Sequence, residues 1–96
     1  MRIGGGSYIK KLLRAVQGLD FGSISAGSTA ELAIPMAGAV VGDAVIVNPN
    51  DGIEAGLVWN AYVSAVDTVM VRLTNVTTWT IDPAPRTWNV IWLDVS

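Results

Sequence analysis

The chain has 96 residues, of which 51% are hydrophobic and 15% are charged, and its formal net charge is −2. Soluble domains contain about 25% charged residues, so this composition excludes extensive intrinsic disorder, which requires low hydrophobicity and high charge. The chain has no cysteine and no histidine. That excludes disulfide bonds, thiolate nucleophiles, zinc–thiolate sites and most familiar hydrolase and metalloenzyme chemistry.

The first 18 residues are basic: they contain Arg2, Lys10, Lys11 and Arg14 and no acidic residue. Residues 19–96 carry all eight acidic residues and only two arginines. The second segment is also poor in strong helix formers and rich in Val, Ile and Thr, which suit strands. We therefore predict a basic N-terminal arm, residues 1–18, followed by a β-sandwich module, residues 19–96.

The arm combines a glycine run with a short helical pattern. Gly4, Gly5 and Gly6 predict a flexible tether, because such a run cannot nucleate regular structure. A helix of about ten residues is too short to be stable alone, so we expect one here only when it is docked. The apolar run is too short for a signal peptide or a membrane span, so we expect an unprocessed, soluble chain. The residues that give the helical spacing are Ile9, Leu12, Leu13 and Val16, with Ser7 as N-cap and Gly18 as the stop.

From residue 19 onward apolar residues alternate with period two, which is typical of half-buried strands. Turn-forming residues separate the strands at residues 22–27, 48–52, 64–67 and 82–85. Six or seven short strands with such turns predict an all-β fold, a small antiparallel β-sandwich or jelly-roll-like module. The predicted inward-facing residues are Leu19 and Phe21; Ala30, Leu32, Ile34 and Met36; Leu57, Trp59, Ala61 and Val63; Val69, Val71 and Leu73; and Trp88, Val90 and Trp92.

Some strands are apolar on both faces. In the last strand Ile91 and Leu93 lie opposite the predicted core face, and Tyr62 and Val58 do the same in the strand after residue 56. A chain this short buries only about 60–68% of its unfolded surface, so these side chains need another cover. We predict that Tyr62, Ile91 and Leu93 contact a second copy of the chain, because large apolar patches are rarely left in water.

No constellation of catalytic residues is present, and we predict neither a cofactor nor a metal. Asn48, Asn50 and Asp51 cluster oxygen atoms but do not match the spacing of a calcium loop. Asn75-Val76-Thr77 fits the N-glycosylation pattern, which is a frequent chance match. The acidic residues sit beside turns, where their carboxylates accept local backbone N–H groups; they are Asp43, Asp51, Glu54, Asp67 and Asp82.

The basic arm has the charge to bind a nucleic acid, an anionic membrane or an acidic protein surface. The chain's isoelectric point, near 4.7, argues against a nucleic acid, since nucleic-acid-binding domains are usually strongly basic. The arm's short apolar stripe without Trp or Phe argues against a membrane. We predict a protein surface as the partner, and a solvated tail is the alternative.

Four tryptophans in 96 residues leave two interpretations open. Aromatic clefts bind sugars, so the rings allow a carbohydrate-binding role. Trp59, Trp88 and Trp92 fall at core positions of predicted strands, which favours packing. Trp79 lies in the polar stretch of residues 77–80, so its exposure is the point to test.

Several segments resemble a family of small bacteriophage virion proteins, and together they span residues 19–92. The resemblance is specific for the module and much less specific for its place on the virion. It does not include residues 1–18. The matching segments are residues 19–30 (LDFGSISAGSTA), 42–45 (GDAV), 55–65 (AGLVWNAYVSA), 68–75 (TVMVRLTN), 81–83 (IDP) and 86–88 (RTW).

The resemblance implies a compact, jelly-roll-like module, often trimeric, of the kind used in capsid cement or decoration proteins and in phage fibres and tails. We therefore expect a non-enzymatic structural protein on the outer capsid surface, a trimer that binds the major capsid protein across capsomers. Arg2, Lys10, Lys11 and Arg14 are the candidate capsid-docking residues. The alternative is a host-recognition or carbohydrate-binding module of a fibre or tail.

Overall fold

The computed structural model describes residues 2–3 and 7–95, with side chains from residue 13 to residue 93. In this part of the chain the regular elements are all β-strands. There are seven strands in this part. In chain order they are β1 (Arg2–Ile3), β2 (Ser7–Leu19), β3 (Thr29–Pro35), β4 (Ala44–Pro49), β5 (Leu57–Ala65), β6 (Thr68–Asn75) and β7 (Arg86–Val95).

The strands form two antiparallel sheets. One sheet has the order β1-β2-β7-β4, and the other has the order β3-β6-β5. Their inner faces share one hydrophobic core, so the predicted all-β sandwich is confirmed. Residues 66–67 form the predicted hairpin turn between β5 and β6, where Asp67 has a φ of 61°.

Residues 7–18, where we predicted a helix only on docking, form no helix in this structure and belong to strand β2. The backbone from Leu12 to Leu19 pairs continuously with β7, from Leu93 back to Arg86. The apolar residues of this segment fit both the 3.6-residue period of a helix and the two-residue period of a strand. An isolated helix of this length is unstable, so backbone pairing with β7 favours the strand.

The start of the chain differs from the prediction in other respects too. Ser7, the predicted N-cap of the helix, begins β2 and pairs with Ile3 of β1. Gly4, Gly5 and Gly6 lie outside the described residues. The predicted boundary between arm and module, after residue 18, lies within β2, which ends at Leu19.

The middle strands of the two sheets supply the centre of the core. Val69, Val71 and Leu73 of β6 are fully buried, as are Trp88 and Val90 of β7. This confirms the predicted inward faces of both strands. The rings interlock, since Phe21 and Trp59 each meet Trp88 edge-on, with centroids 6.2 and 6.0 Å away.

The sandwich is closed along the side where edge strands β4 and β5 meet. Trp59 of β5 faces inward but is 40% exposed at this edge, so it is only partly the core residue that its position predicts. Its indole Nε1 donates a hydrogen bond to the carbonyl oxygen of Val47 at 3.0 Å. This bond caps an outward-facing carbonyl of β4 and joins the two sheets.

The opposite side, formed by β2 and β3, is open. β1 pairs with β2 only at Ser7 and Tyr8, and no other described residue pairs with the outer edge of β2. β3 pairs only with β6 in the described chain and ends at Pro35. A proline in the sequence of a strand predicts either an edge strand or a strand end, and Pro35 is at both. We call this the open side of the sandwich.

We expect Leu73→Ala to lower the free energy of unfolding by about 2–5 kcal/mol, because the substitution leaves a cavity in a fully buried site. Urea unfolding followed by tryptophan fluorescence measures it. The matched control is Val58→Ala on the exposed face of neighbouring β5, which should change stability by no more than about 0.5 kcal/mol. Equal effects of the two variants would show that the core is not where the structure places it.

Candidate functional site

The outer face of the β2–β7–β4 sheet carries exposed apolar side chains beside Arg14, Asn48 and Asn89. Val16 and Ile46 are each 56% exposed there, and Ile91 and Leu93 are half-buried. Ile91 lies between Arg14 and Ile46 in the strand register. The predicted contact residues Ile91 and Leu93 therefore belong to one continuous patch, which we call the apolar outer face.

Arg14 is the predicted docking cation whose side chain the structure describes. It lies on the apolar outer face, exposed, with Nη2 3.4 Å from Oδ1 of Asn89. The backbone of Lys11 is opposite Asp94 in the β2–β7 register. The side chains of Arg2, Lys10 and Lys11 lie outside the described part of the structure.

Tyr62 is not near Ile91 and Leu93, because it lies on the outer face of the other sheet. Its hydroxyl donates to Oε2 of Glu31 at 2.7 Å. Arg72 pairs with the same oxygen at 2.9 Å, and its guanidinium carbon lies 5.1 Å from the centroid of the Tyr62 ring. The three predicted contact residues are therefore divided between opposite surfaces of the sandwich.

Hydrogen bonds within the cluster of Glu31, Tyr62 and Arg72 change the pKa values of Glu31 and Tyr62. The hydrogen bond from Tyr62, followed by that from Arg72, lowers the pKa of the Glu31 carboxyl. The hydrogen bond to Glu31 raises the pKa of Tyr62. The sequence did not reveal this cluster, because β3, β6 and β5 bring the three residues together only through their register, in which Arg72 pairs with Glu31.

Trp79 is 62% exposed and lies on the loop between β6 and β7. Hydrogen bonds with the buried Asn75 side chain fix the backbone of this loop. The fully buried Asn75 donates from Nδ2 to the carbonyl oxygens of Ile24 and Trp79, at 2.9 and 2.8 Å. Its Oδ1 accepts from the backbone N–H and the hydroxyl of Thr77, at 2.9 and 2.6 Å. Gly56, with φ of +95°, lies directly against the Thr77 side chain, where a Cβ would collide. The indole is therefore presented to solvent by an ordered backbone.

The same contacts explain the glycosylation pattern at Asn75. Its side-chain nitrogen, the atom that would carry a glycan, is buried and donates two hydrogen bonds. The residue serves the fold in this structure, in keeping with the interpretation of the pattern as a chance match.

Acidic side chains in the described region serve turns and ion pairs. Asp43 accepts from the indole Nε1 of Trp92 at 2.7 Å and from the Val40 N–H at 3.0 Å. Asp67 accepts from the Gly38 N–H at 2.7 Å. Glu54 accepts from the Ala84 N–H and pairs with Arg86, each at 2.8 Å. No group of three or more acidic side chains suited to a metal occurs among the described residues.

A shallow depression of about 340 Å³ lies where β2 ends and β7 begins, lined by Gly18, Leu19, Asp20, Pro85, Arg86 and Thr87. Arg86 in its wall is held by Glu54 and by the carbonyl oxygen of Gly52. The depression contains no nucleophile paired with a base, so it offers a surface for contact and no arrangement for acid–base chemistry.

Comparison with known proteins gives no further guide to the site. No family model, curated protein or solved structure matches the chain at a significant level. Within the described residues, no helix is long and apolar enough to cross a membrane.

We expect Asn75→Ala to lower the free energy of unfolding by about 1–3 kcal/mol for each buried group it leaves without a partner. Hydrogen exchange should also accelerate at the backbone amides of residues 76–80. Asn60→Ala, on the exposed face of β5, is the matched control and should change neither quantity. If the two variants behave alike, Asn75 does not hold the Trp79 loop.

We expect Tyr62→Phe to raise the pKa of Glu31 toward that of an ordinary glutamate, because the substitution removes the hydrogen bond that lowers this pKa most. NMR titration of the Glu31 side-chain carbon measures this pKa. A carboxyl with a lowered pKa stabilises the fold above the ordinary glutamate pKa, and this contribution disappears as the pH falls through the lowered value. An unchanged pKa in the variant would show that Tyr62 does not donate to Glu31.

Proposed function

We propose that the protein is a capsid cement or decoration protein of a bacteriophage, a structural component without enzymatic activity. It binds the outer shell as a homo-oligomer, a trimer in the form that the family resemblance implies. Two features support this proposal: the resemblance of residues 19–92 to small phage virion proteins, and the surface of the sandwich.

The observation that carries the proposal is the apolar outer face of the β2–β7–β4 sheet. Val16 and Ile46 are more than half exposed on it, beside Ile91 and Leu93. A contiguous apolar patch on a small protein marks an interaction surface. Arg14 lies on the same face, and the backbone of β2 carries Lys10 and Lys11. The patch therefore combines apolar area with positive charge, which suits docking on an acidic capsid protein.

Such a protein acts mechanically. Burying apolar surface stabilises a contact by about 25 cal/mol for each Å² removed from water. A subunit that bridges two capsomers adds this free energy to the work needed to separate them when packaged nucleic acid presses outward. By mass action, the subunit stabilises the shell if it binds the assembled form better than the free capsomers.

A second candidate function is favoured by one observation, the exposed Trp79 on its ordered loop. Val76 of the same loop is also exposed, and so are Thr78 and Thr80, whose side chains carry hydroxyl groups. An aromatic ring with nearby hydroxyls can stack on a sugar. This feature supports a host-recognition or carbohydrate-binding module of a fibre or tail.

Copy number separates the two functions, and charge substitution tests the docking residues. For cement, quantitative gel densitometry of virions should give a copy number comparable with that of the capsomers. The triple variant Lys10→Gln, Lys11→Gln, Arg14→Gln should lower shell occupancy while the tryptophan fluorescence of the fold is retained. Gln17→Ala, an exposed uncharged site on the same strand, is the control and should leave occupancy unchanged.

A handful of copies per particle would eliminate cement and leave the fibre or tail module. Unchanged occupancy of the triple variant would refute the docking role of the basic residues.

A further inference from the structure

The open side of the sandwich leaves two strand edges without partners. The outer edge of β2 is unpaired over residues 9–19 within the described chain, and so is the outer edge of β3 (Thr29–Pro35). Exposed edges present rows of backbone N–H and C=O groups that are ready to pair with another strand. At the closed side, by contrast, Trp59 covers the edge of β4 through its bond to Val47.

The core is also incompletely covered along this side. Leu13 and Ala15 of β2 and Ala30 and Leu32 of β3 point inward and pack against the core, but each is only half-buried. The corresponding residues of the middle strands are fully buried. Val45 and Ala61 at the closed side are half-buried too, but there the Trp59 side chain joins the two sheets. The open side therefore combines unpaired backbone with apolar side chains that an additional strand would cover.

We propose that the open side is the contact between copies of this chain, with β2 of one copy lying beside β3 of another. This inference rests on the proposed function only in assuming that the protein works as a homo-oligomer. It places the subunit contact at strand edges and leaves the apolar outer face free for the shell.

The charges favour a second copy in this arrangement. β2 carries Lys10, Lys11 and Arg14 and no acid, so pairing β2 with β2 would gather the cations of both copies along one edge. β3 carries Glu31 and no base. Arg72 of the same copy already pairs with Glu31. Pairing β2 with β3 still places the basic strand against the acidic remainder of the chain, which carries all eight acidic residues and two arginines, and it avoids the repulsion that keeps identical charged edges apart.

The side-chain pattern of the two edges is compatible as well. When the inward residues Leu13 and Ala15 continue the row of Ala30 and Leu32, the alternation of a strand places Arg14 on the same face as Glu31. The two inner faces then form one continuous core. Because each copy contributes both a β2 edge and a β3 edge, the contacts can close into a symmetric ring or dimer in which every open-side edge is paired.

A lysine that points inward at an edge blocks strand addition. We therefore expect Ala30→Lys on β3 to reduce the solution mass, measured by light scattering, from that of a closed oligomer to that of a monomer. The control is Ala61→Lys, an inward, half-buried alanine of β5 at the closed side, which should keep the oligomer. Circular dichroism verifies that both variants are folded.

Cross-linking tests the contact without relying on a disruptive variant. The chain has no cysteine, so single cysteines can be placed at Val16→Cys on β2 and Ala33→Cys on β3, which lie opposite each other when the two strands run parallel. Thr29→Cys replaces Ala33→Cys for the antiparallel pairing, in which Val16 lies opposite Thr29. After the two proteins are mixed and refolded together, a short bismaleimide should join them into a covalent dimer. The control pair, Ile46→Cys and Val58→Cys on β4 and β5, should give none.

The outcomes are distinguishable from those of the virion experiment. If Ala30→Lys stays oligomeric and the control cysteines cross-link instead, the subunit contact lies elsewhere and this inference is overturned, while cement remains a valid function. If the Val16 cysteine cross-links to the cysteine at Ala33 or Thr29 but virions hold only a few copies, the contact stands and the cement function fails.

Discussion

The structure depends on one constraint: strand β7 is apolar on both faces, and the chain supplies a covering sheet for only one of them. On the inner face Trp88, Val90 and Trp92 are covered by the β3–β6–β5 sheet and define the core. On the outer face Ile91 and Leu93 have only the neighbouring side chains of their own sheet. Among the described residues no third layer covers them, so this apolar area is available for another molecule.

Much of the fold could be predicted because period-two alternation is a local signal. It identified the inward faces of β3, β6 and β7 and the hairpin between β5 and β6. Pro35 likewise indicated an edge strand. It failed at residues 7–18, where apolar residues fit both a helix and a strand. The deciding factor there is the pairing of Leu12–Leu19 with Leu93–Arg86, a contact between opposite ends of the chain.

The candidate site was less predictable because it too depends on contacts between residues that are distant in the sequence. The cluster of Glu31, Tyr62 and Arg72 depends on the register of three strands, and a single sequence does not contain that register. The sequence places Asn75 in a glycosylation pattern. The structure shows that its side chain is buried and donates a hydrogen bond to the carbonyl oxygen of Trp79, which holds the loop. The exposed state of Trp79 was the open question that its polar neighbours raised, and the structure answers it.

The open side and the apolar outer face meet at strand β2, and the Trp79 loop is a third surface. Their coexistence suits a component that binds copies of itself and a larger shell. The central claim is that the 10.1 kDa chain does not complete its own fold surface and works as an assembly. Sedimentation equilibrium of the full-length protein over a range of concentrations tests this claim most directly. The account predicts a closed oligomer with a mass that is an integer multiple of the chain. A single species with the mass of one chain at every concentration would contradict it.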